Sequence, residues 1–290
     1  MKKLKRFFVL AFKMGRTAFL FYLLVYLIIF LLKPAPKPST PDSKITNLEI
    51  EALLMSTGQV PSQFEHVTHN RCWEKPDNSD EVCLEYSMNL LETTKESKYK
   101  TQNLNVQYDS KRDLDYWEEI YGNLYRNNPE GIAHIVDSLS KIATKEFYSP
   151  EQLAKLVVSF IQDLPYWYIL DERRSCDEEK YAEKPCVSGI KYGLLSPLET
   201  AYTAFGDCDS KALLLYCILR QLNFEPIIVT SNQYHHAMIA INLISDGDFI
   251  MHRGKRFYFW ETTMSGWQLG MLPPPYSNKN YWNVALSYEY

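Results

Sequence analysis

Apolar and polar positions alternate along this chain with three different periods, and each period predicts a different element. Thr17 to Leu32 is apolar throughout, with Thr and Tyr its only polar groups. Leu114, Trp117, Ile120 and Leu124 recur at helical spacing and predict a helix over Asp113 to Asn127. Asn128 to Thr144 predicts a second, with Asn128 as its cap and Pro129 at its first position. Ser149-Pro150-Glu151-Gln152 opens a third with a hydroxyl cap, a proline at the first position and an acid in the first turn. Its stripe of Leu153, Leu156, Val157, Phe160 and Ile161 runs out near Leu164-Pro165. A dense apolar helix follows Cys208. Beyond it, Pro226 to Thr230, Ala237 to Ile244, Asp248 to His252 and Arg256 to Glu261 are β-rich, and Trp282 to Tyr288 is a candidate last strand. Ser245 to Asp248 and His252 to Lys255 carry turn residues between them. Thr46 to Ser56 has a helical pattern, whereas Cys72 to Asp109 is mixed and yields no assignment. Helices followed by an antiparallel sheet make an α+β chain, and no internal repeat is visible.

The N-terminus predicts a membrane anchor. Lys2, Lys3, Lys5, Arg6, Lys13 and Arg16 precede the apolar run, and no acid accompanies them. Sixteen helical residues span ~24 Å, a little short of a ~30 Å hydrocarbon core. Gly15 and Met14 extend the run, and Arg16 and Lys13 can snorkel to the headgroups. The cation excess places residues 1–16 in the cytoplasm and the remainder outside it. Lys33-Pro34-Ala35-Pro36-Lys37-Pro38 lacks a small-x-small cleavage site, so the reading favours an uncleaved signal anchor at 17–32 over a removed signal peptide. Prolines 34, 36, 38 and 41 make 33–44 an extended spacer. The folded part divides into a mostly helical region at 45–148 and a second domain at 149–290. The first is read as a lid, a recognition domain or an extension of the core. A composition of 46% hydrophobic residues is ordinary for a globular protein, and the net charge of −4 points away from nucleic acid as a partner.

Six cysteines agree with export. Cys72 and Cys83 bracket one short polar loop, and Cys176 and Cys186 bracket another; each pair is a disulfide candidate, with cross-pairing between loops left open. No CxxC pair of the kind zinc prefers is present. His66, His69 and Cys72 recur every third residue and would share a face if helical, but they lack a fourth ligand and read best as surface residues. Asp246-Gly247-Asp248 is a turn, since the rest of a calcium loop is missing. Cys217 sits among Leu213, Leu214, Leu215, Ile218 and Leu219 and reads as a small buried hydrophobe.

That leaves Cys208, in Gly206-Asp207-Cys208-Asp209-Ser210-Lys211. With Asp207 as N-cap, Cys208 takes the first helical position, where free N–H groups and the helix dipole favour a thiolate. Asp207 and Asp209 oppose that charge, so a histidine cation has to outweigh them. His235-His236-Ala237-Met238 and Trp260-Glu261-Thr262-Thr263 supply a candidate base and a carboxylate to orient it. In a strand, His235 and His236 point to opposite faces, so only one meets the sulfur. Gln162 is a candidate side-chain oxyanion donor. Tyr166, Tyr192 and Trp267 are candidates to line a cleft, although such aromatics are more often core.

These residues resemble the transglutaminase-like superfamily of papain-like cysteine enzymes, and most strongly its bacterial transglutaminase-like cysteine peptidases. The family shows G-x-C opening a helix, H-A on a strand, then W-x-x-x-D-P-T or a variant. Here these stand as Gly206-Asp207-Cys208, His236-Ala237-Met238 and Trp260-Glu261-Thr262-Thr263. Pro197-Leu198-Glu199-Thr200 and Phe160 to Tyr166 are also similar, so the resemblance covers about Ser149 to Thr263. Three positions depart from it: His235 replaces a frequent glycine, Glu261 the usual aspartate and Thr262 the proline. The resemblance implies a papain-like core of helices packed on an antiparallel sheet. It implies a Cys208–His236–Glu261 triad acting on amide bonds through a thioester, by hydrolysis or by transamidation of glutamine. A protein or peptide substrate, or a cell-envelope polymer, is the implied partner, and no metal or organic cofactor is called for. The alternative within the same fold is a catalytically silent module that binds peptide or envelope polymer.

Overall fold

A computed structural model of the chain describes residues 66–75, 81–109, 113–127 and 129–287. The expected anchor at 17–32, the spacer at 33–44 and the helix at Thr46 to Ser56 lie outside these residues. Among the described residues no helix is long and apolar enough to cross a membrane.

The mixed stretch that periodicity left unassigned contains an antiparallel hairpin, β1 (His66–Glu74) and β2 (Glu81–Asn89). On β2, Val82, Leu84, Tyr86 and Met88 alternate inward. On β1 the inward residues are His69, Arg71 and Trp73. Polar groups can occupy that face because each has a partner: His69 Nε2 bonds the Tyr202 carbonyl (2.8 Å), Arg71 pairs with Asp163 (2.6 Å) and Trp73 Nε1 donates to Ser159 Oγ (2.9 Å). The helical face imagined for His66, His69 and Cys72 therefore does not exist. In a strand His69 points away from the other two and is buried. Cys72 lies directly opposite Cys83 across the hairpin and is bonded to it. The second disulfide joins Cys176 to Cys186, so each bracketing pair closes its own loop.

Six helices follow. α1 (Leu90–Lys98) begins on Asn89, whose side chain accepts from the N–H groups of Leu91 and Glu92, and runs into a π-helical turn at Tyr99–Asn103. α2 (Asp113–Asn127) falls where its apolar spacing predicts. The next helix starts later than expected: Pro129–Ile132 forms a tighter 3-10 turn before α3 (Ala133–Lys145), and Asn128 lies outside the described residues. α4 (Pro150–Asp163) opens on a full capping box, Ser149 with Gln152. α5 (Pro197–Thr203) has the same device, Ser196 with Glu199. α6 (Cys208–Gln221) is buried on every side from Ser210 to Leu219 and forms the central rod of the core.

A short parallel pair, β3 (Tyr168–Ile169) and β4 (Cys186–Val187), lies between α4 and α5. The main sheet comprises β5 (Pro226–Ser231), β6 (His236–Ile241), β7 (Phe249–His252), β8 (Lys255–Trp260) and β9 (Asn283–Leu286). It is antiparallel throughout, in the order β7-β8-β6-β5-β9. Ile228, Ile239, Ile241 and Trp260 face the helices; Ile227, Val229, Met238, Ala240 and Phe259 face a second layer closed by Leu272 and Trp282. The architecture is α+β with helices packed on antiparallel sheet. Residues from the hairpin, from α2 to α6 and from the main sheet share one continuous apolar cluster.

Candidate active site

Three elements meet at this site. α6 starts where β5 finishes and β6 begins, and the nucleophile candidate stands at that helix start. Asp207 caps α6, its Oδ1 accepting from Ser210 N (3.0 Å) and Ser210 Oγ (2.6 Å). Cys208 is the first helical residue, as its sequence predicts. Gly206 ahead of it sits in close quarters: a Cβ there would lie 3.0 Å from Ser210 Cβ and 3.4 Å from Thr200 Cγ2, so its neighbours would have to give way. The strand-like bridge from Gly206 to Tyr166 holds this turn from the other side. Gly206→Ala is expected to destabilise the protein by about 1–3 kcal/mol through overpacking, read as a fall in the urea midpoint at unchanged slope.

His236 is the first residue of β6 and pairs with Ser231 across a four-residue turn. His235 is not on the strand. It closes that turn at φ 49°, in the left-handed region, so the backbone turn separates the two imidazoles. Glu261 follows the last residue of β8. Ile239 pairs with Trp260, so continuing the register by one residue sets Glu261 beside Met238, two positions from His236 on the same face. A glutamate is long enough to cover that diagonal: His236 Nε2 and Glu261 Oε2 are 2.8 Å apart. The pair is shielded, with side chains 8% and 1% exposed. Glu261 Oε1 accepts three more bonds, from Thr262 N (2.9 Å), Thr263 N (2.8 Å) and Thr263 Oγ1 (2.6 Å). Burial works to raise this carboxyl, but the bonds from His236 and Thr263 outweigh it and hold Glu261 below its ordinary value. An ionised carboxylate only accepts, so Nε2 carries the imidazole hydrogen and Nδ1 is the basic atom. Tyr276 packs on the ring with centroids 4.8 Å apart, and Trp282 meets it edge-on.

Cys208 and His236 line the same cleft, about 770 Å³ in volume. Such a volume suits a substantial ligand. Tyr166 and Tyr192 line it as anticipated, and Val106, Tyr108, Tyr116 and Trp117 from the lead-in region form part of its wall. Tyr192 sits at φ 66° and its hydroxyl ties that wall down, donating to the Leu104 carbonyl (2.7 Å) and accepting from Val106 N (3.0 Å). Trp267 is elsewhere, facing the groove beside α4.

Two expectations change. The thiol is not poised as a thiolate. Cys208 is 6% exposed, and burial, then Asp209, then Asp207 push it well above its ordinary value. The Ala237 backbone N–H opposes this shift. Burial outweighs the helix terminus that the sequence pattern emphasised. Gln162 is not an oxyanion donor here, because its amide nitrogen already donates to the carbonyls of Glu261 (2.7 Å) and Trp267 (3.0 Å). It clamps the loop that carries Glu261.

Lys211 is the residue that sequence reasoning missed. It is fully buried, and its Nζ donates to the Leu164 carbonyl (2.8 Å) and more weakly to those of Gln162 and Thr263 (3.4 Å each). Burial lowers its pKa to about 7 against the opposing pull of Glu261 and Asp163. The signal was available: a lysine in a helix that is apolar on all sides has nowhere to snorkel. Among the described residues, Cys72, Glu81 and Cys83 gather closely enough to suggest a metal site, but the two sulfurs are bonded to each other. Comparison of the chain with protein-family models, with curated proteins and with solved structures yields no match.

Proposed function

We propose that this protein is a transglutaminase-like cysteine enzyme with a papain-like core, acting on amide bonds of a protein or peptide substrate outside the cytoplasm and held to the membrane by residues 17–32. The observation that carries the reading is the shielded His236–Glu261 pair opening into the same cleft as a cysteine at a helix start. The basic leader and the two disulfides support export.

The chemistry follows from the protonation states. Cys208 rests as a thiol, so His236 Nδ1 takes its proton as the sulfur attacks, rather than from a standing ion pair. Glu261 stabilises the imidazolium that forms. The first N–H groups of α6, those of Cys208 and Asp209, stand outside the intrahelical ladder and are the oxyanion donors. As the tetrahedral intermediate collapses, the C–N bond breaks and His236 returns the proton to the leaving amine. The acyl group remains on sulfur as a thioester. Water releases an acid, or an amine releases a new amide.

Cys208→Ala is expected to keep the native near-ultraviolet circular dichroism and to form no covalent adduct with p-nitrophenyl acetate. The unsubstituted chain should gain one acetyl mass on Cys208. Iodoacetamide labelling of Cys208 should slow at least about tenfold in His236→Ala. The raised thiol pKa favours a second reading, a silent module binding peptide or envelope polymer. Labelling indifferent to His236, with no acetyl adduct, would establish that reading and exclude the enzyme.

A further inference from the structure

The side-chain hydrogen bond that the thiol makes is not to the histidine. Cys208 Sγ donates to Asp209 Oδ2 at 3.5 Å, and the other oxygen of that carboxylate accepts a hydrogen bond from the Tyr121 hydroxyl. Tyr121 belongs to α2, in the lead-in region, and is fully buried. A phenol anchored in the core therefore fixes the rotamer of Asp209, and Asp209 fixes the thiol. The other charged or titratable groups around the sulfur are Asp207 at the cap, Tyr166 across the Gly206 bridge, His236 on β6, Tyr276 above the imidazole, and Lys211 and Glu261 behind it. Burial, then the neighbouring Asp209, pushes the Asp207 carboxyl up to about 8, so Asp209 is the carboxylate that sets the charge on the α6 side of the sulfur.

We propose that Asp209, oriented by Tyr121, is a built-in latch that holds Cys208 as an unreactive thiol until a substrate donor takes over its carboxylate. The inference rests on reading Cys208 as the nucleophile. An N–H or ammonium of the incoming substrate that bonds Oδ2 removes the competing acceptor and cancels the adjacent charge. The thiol proton is then left to His236. The latch suits a chain with two disulfides, because thiolates oxidise far faster than thiols. It also gives the lead-in region a role, since α2 supplies the residue that sets the latch.

The test is the rate of Cys208 alkylation by iodoacetamide against pH in the full chain, comparing the parent with Asp209→Asn, Asp209→Ala and His236→Ala. Cys208→Ala supplies the background. Removing the carboxylate should lower the apparent pKa by one unit or more, and so speed labelling at pH 7 about tenfold. Equal or slower labelling in both Asp209 variants overturns the latch. A readout on the parent chain does not depend on the Asp209 variants folding. An S–H Raman band assigned to Cys208 by its loss in Cys208→Ala should persist at pH 8, and its absence there overturns the proposal. The two readings fail separately. Labelling that responds to Asp209 but ignores His236 keeps the latch and removes the enzyme; the reverse response keeps the enzyme and removes the latch.

Discussion

Glu261→Gln is expected to cut the acylation rate of Cys208 by about 10³–10⁴-fold while leaving the fold intact. The reason is directional. Three donors converge on Glu261 Oε1: Thr262 N, Thr263 N and Thr263 Oγ1. In the glutamine variant the amide oxygen has to occupy that position, since an NH₂ group there would meet backbone N–H groups head on. The NH₂ group then faces His236 Nε2 and needs an acceptor. The imidazole responds by moving its hydrogen to Nδ1, the atom that is required as a base. The ring stays in place against Tyr276 but presents the wrong tautomer. Single-turnover acylation by an activated ester measures the effect. A rate within about fivefold of the parent would show that Glu261 does not set the tautomer, and the triad reading would fall with it.

How much of this was visible in the sequence depends on how local each partner is. Asp207 as the cap of α6, Ser149 as the cap of α4 and the span of α2 follow from neighbours within four residues, and all three stand where the pattern puts them. The strands of the main sheet come within about three residues of expectation, helped by the glycine and aspartate in the turns on either side of β7. The hairpin β1–β2 was lost for a physical reason. Its inward residues His69, Arg71 and Trp73 are satisfied by Tyr202, Asp163 and Ser159, which lie 86 to 133 positions away. Nothing local distinguishes such residues from a solvated face.

The site divides the same way. Cysteine, histidine and glutamate could be named from short motifs, and His236 and Glu261 do come together. The protonation of the thiol could not be read, because it depends on burial that α6 acquires only when the hairpin, α2 and the sheet close around it. Gln162 shows the same limit. A buried glutamine near a cysteine motif invites an oxyanion role, but the loop after β8 supplies two carbonyls and claims the amide nitrogen first. Asp209 was read only as an opposing charge; its role as the partner of the thiol emerges from Tyr121, 88 positions upstream.

The largest loss of stability is expected at Lys100, far from the cleft. Lys100, Glu96 and Glu199 are buried to within 1% of complete, between α1 with its π-helical turn and the start of α5. Lys100 Nζ donates to Glu199 Oε2 (2.5 Å) and the Leu194 carbonyl (2.7 Å). Glu96 Oε2 accepts from Ser196 Oγ and Leu198 N (2.9 Å each), capping α5 from outside its own chain segment. Burial pushes Glu96 up to about 8, so it carries its proton at neutral pH. Burial would raise Glu199 as well, but Lys100 outweighs it and holds that carboxyl below its ordinary value. One ammonium therefore balances one carboxylate. Lys100→Met leaves the Glu199 charge buried without its partner, at a cost of about 3–5 kcal/mol. That corresponds to a fall in Tm of roughly 6–20 °C for a domain of this size. The sign with pH is fixed by linkage. A depressed carboxyl contributes stability above its unfolded value, ~4.3, and loses it as pH falls through the folded value. In Lys100→Met that contribution is gone, and protonating Glu199 becomes the cheaper state. The gap between parent and variant should thus be widest at pH 7 and narrow towards pH 4.5. Thermal melts at the two pH values decide it: an equal gap at both would mean that Lys100 acts through packing alone, and that the buried pair is not what ties α1 to α5.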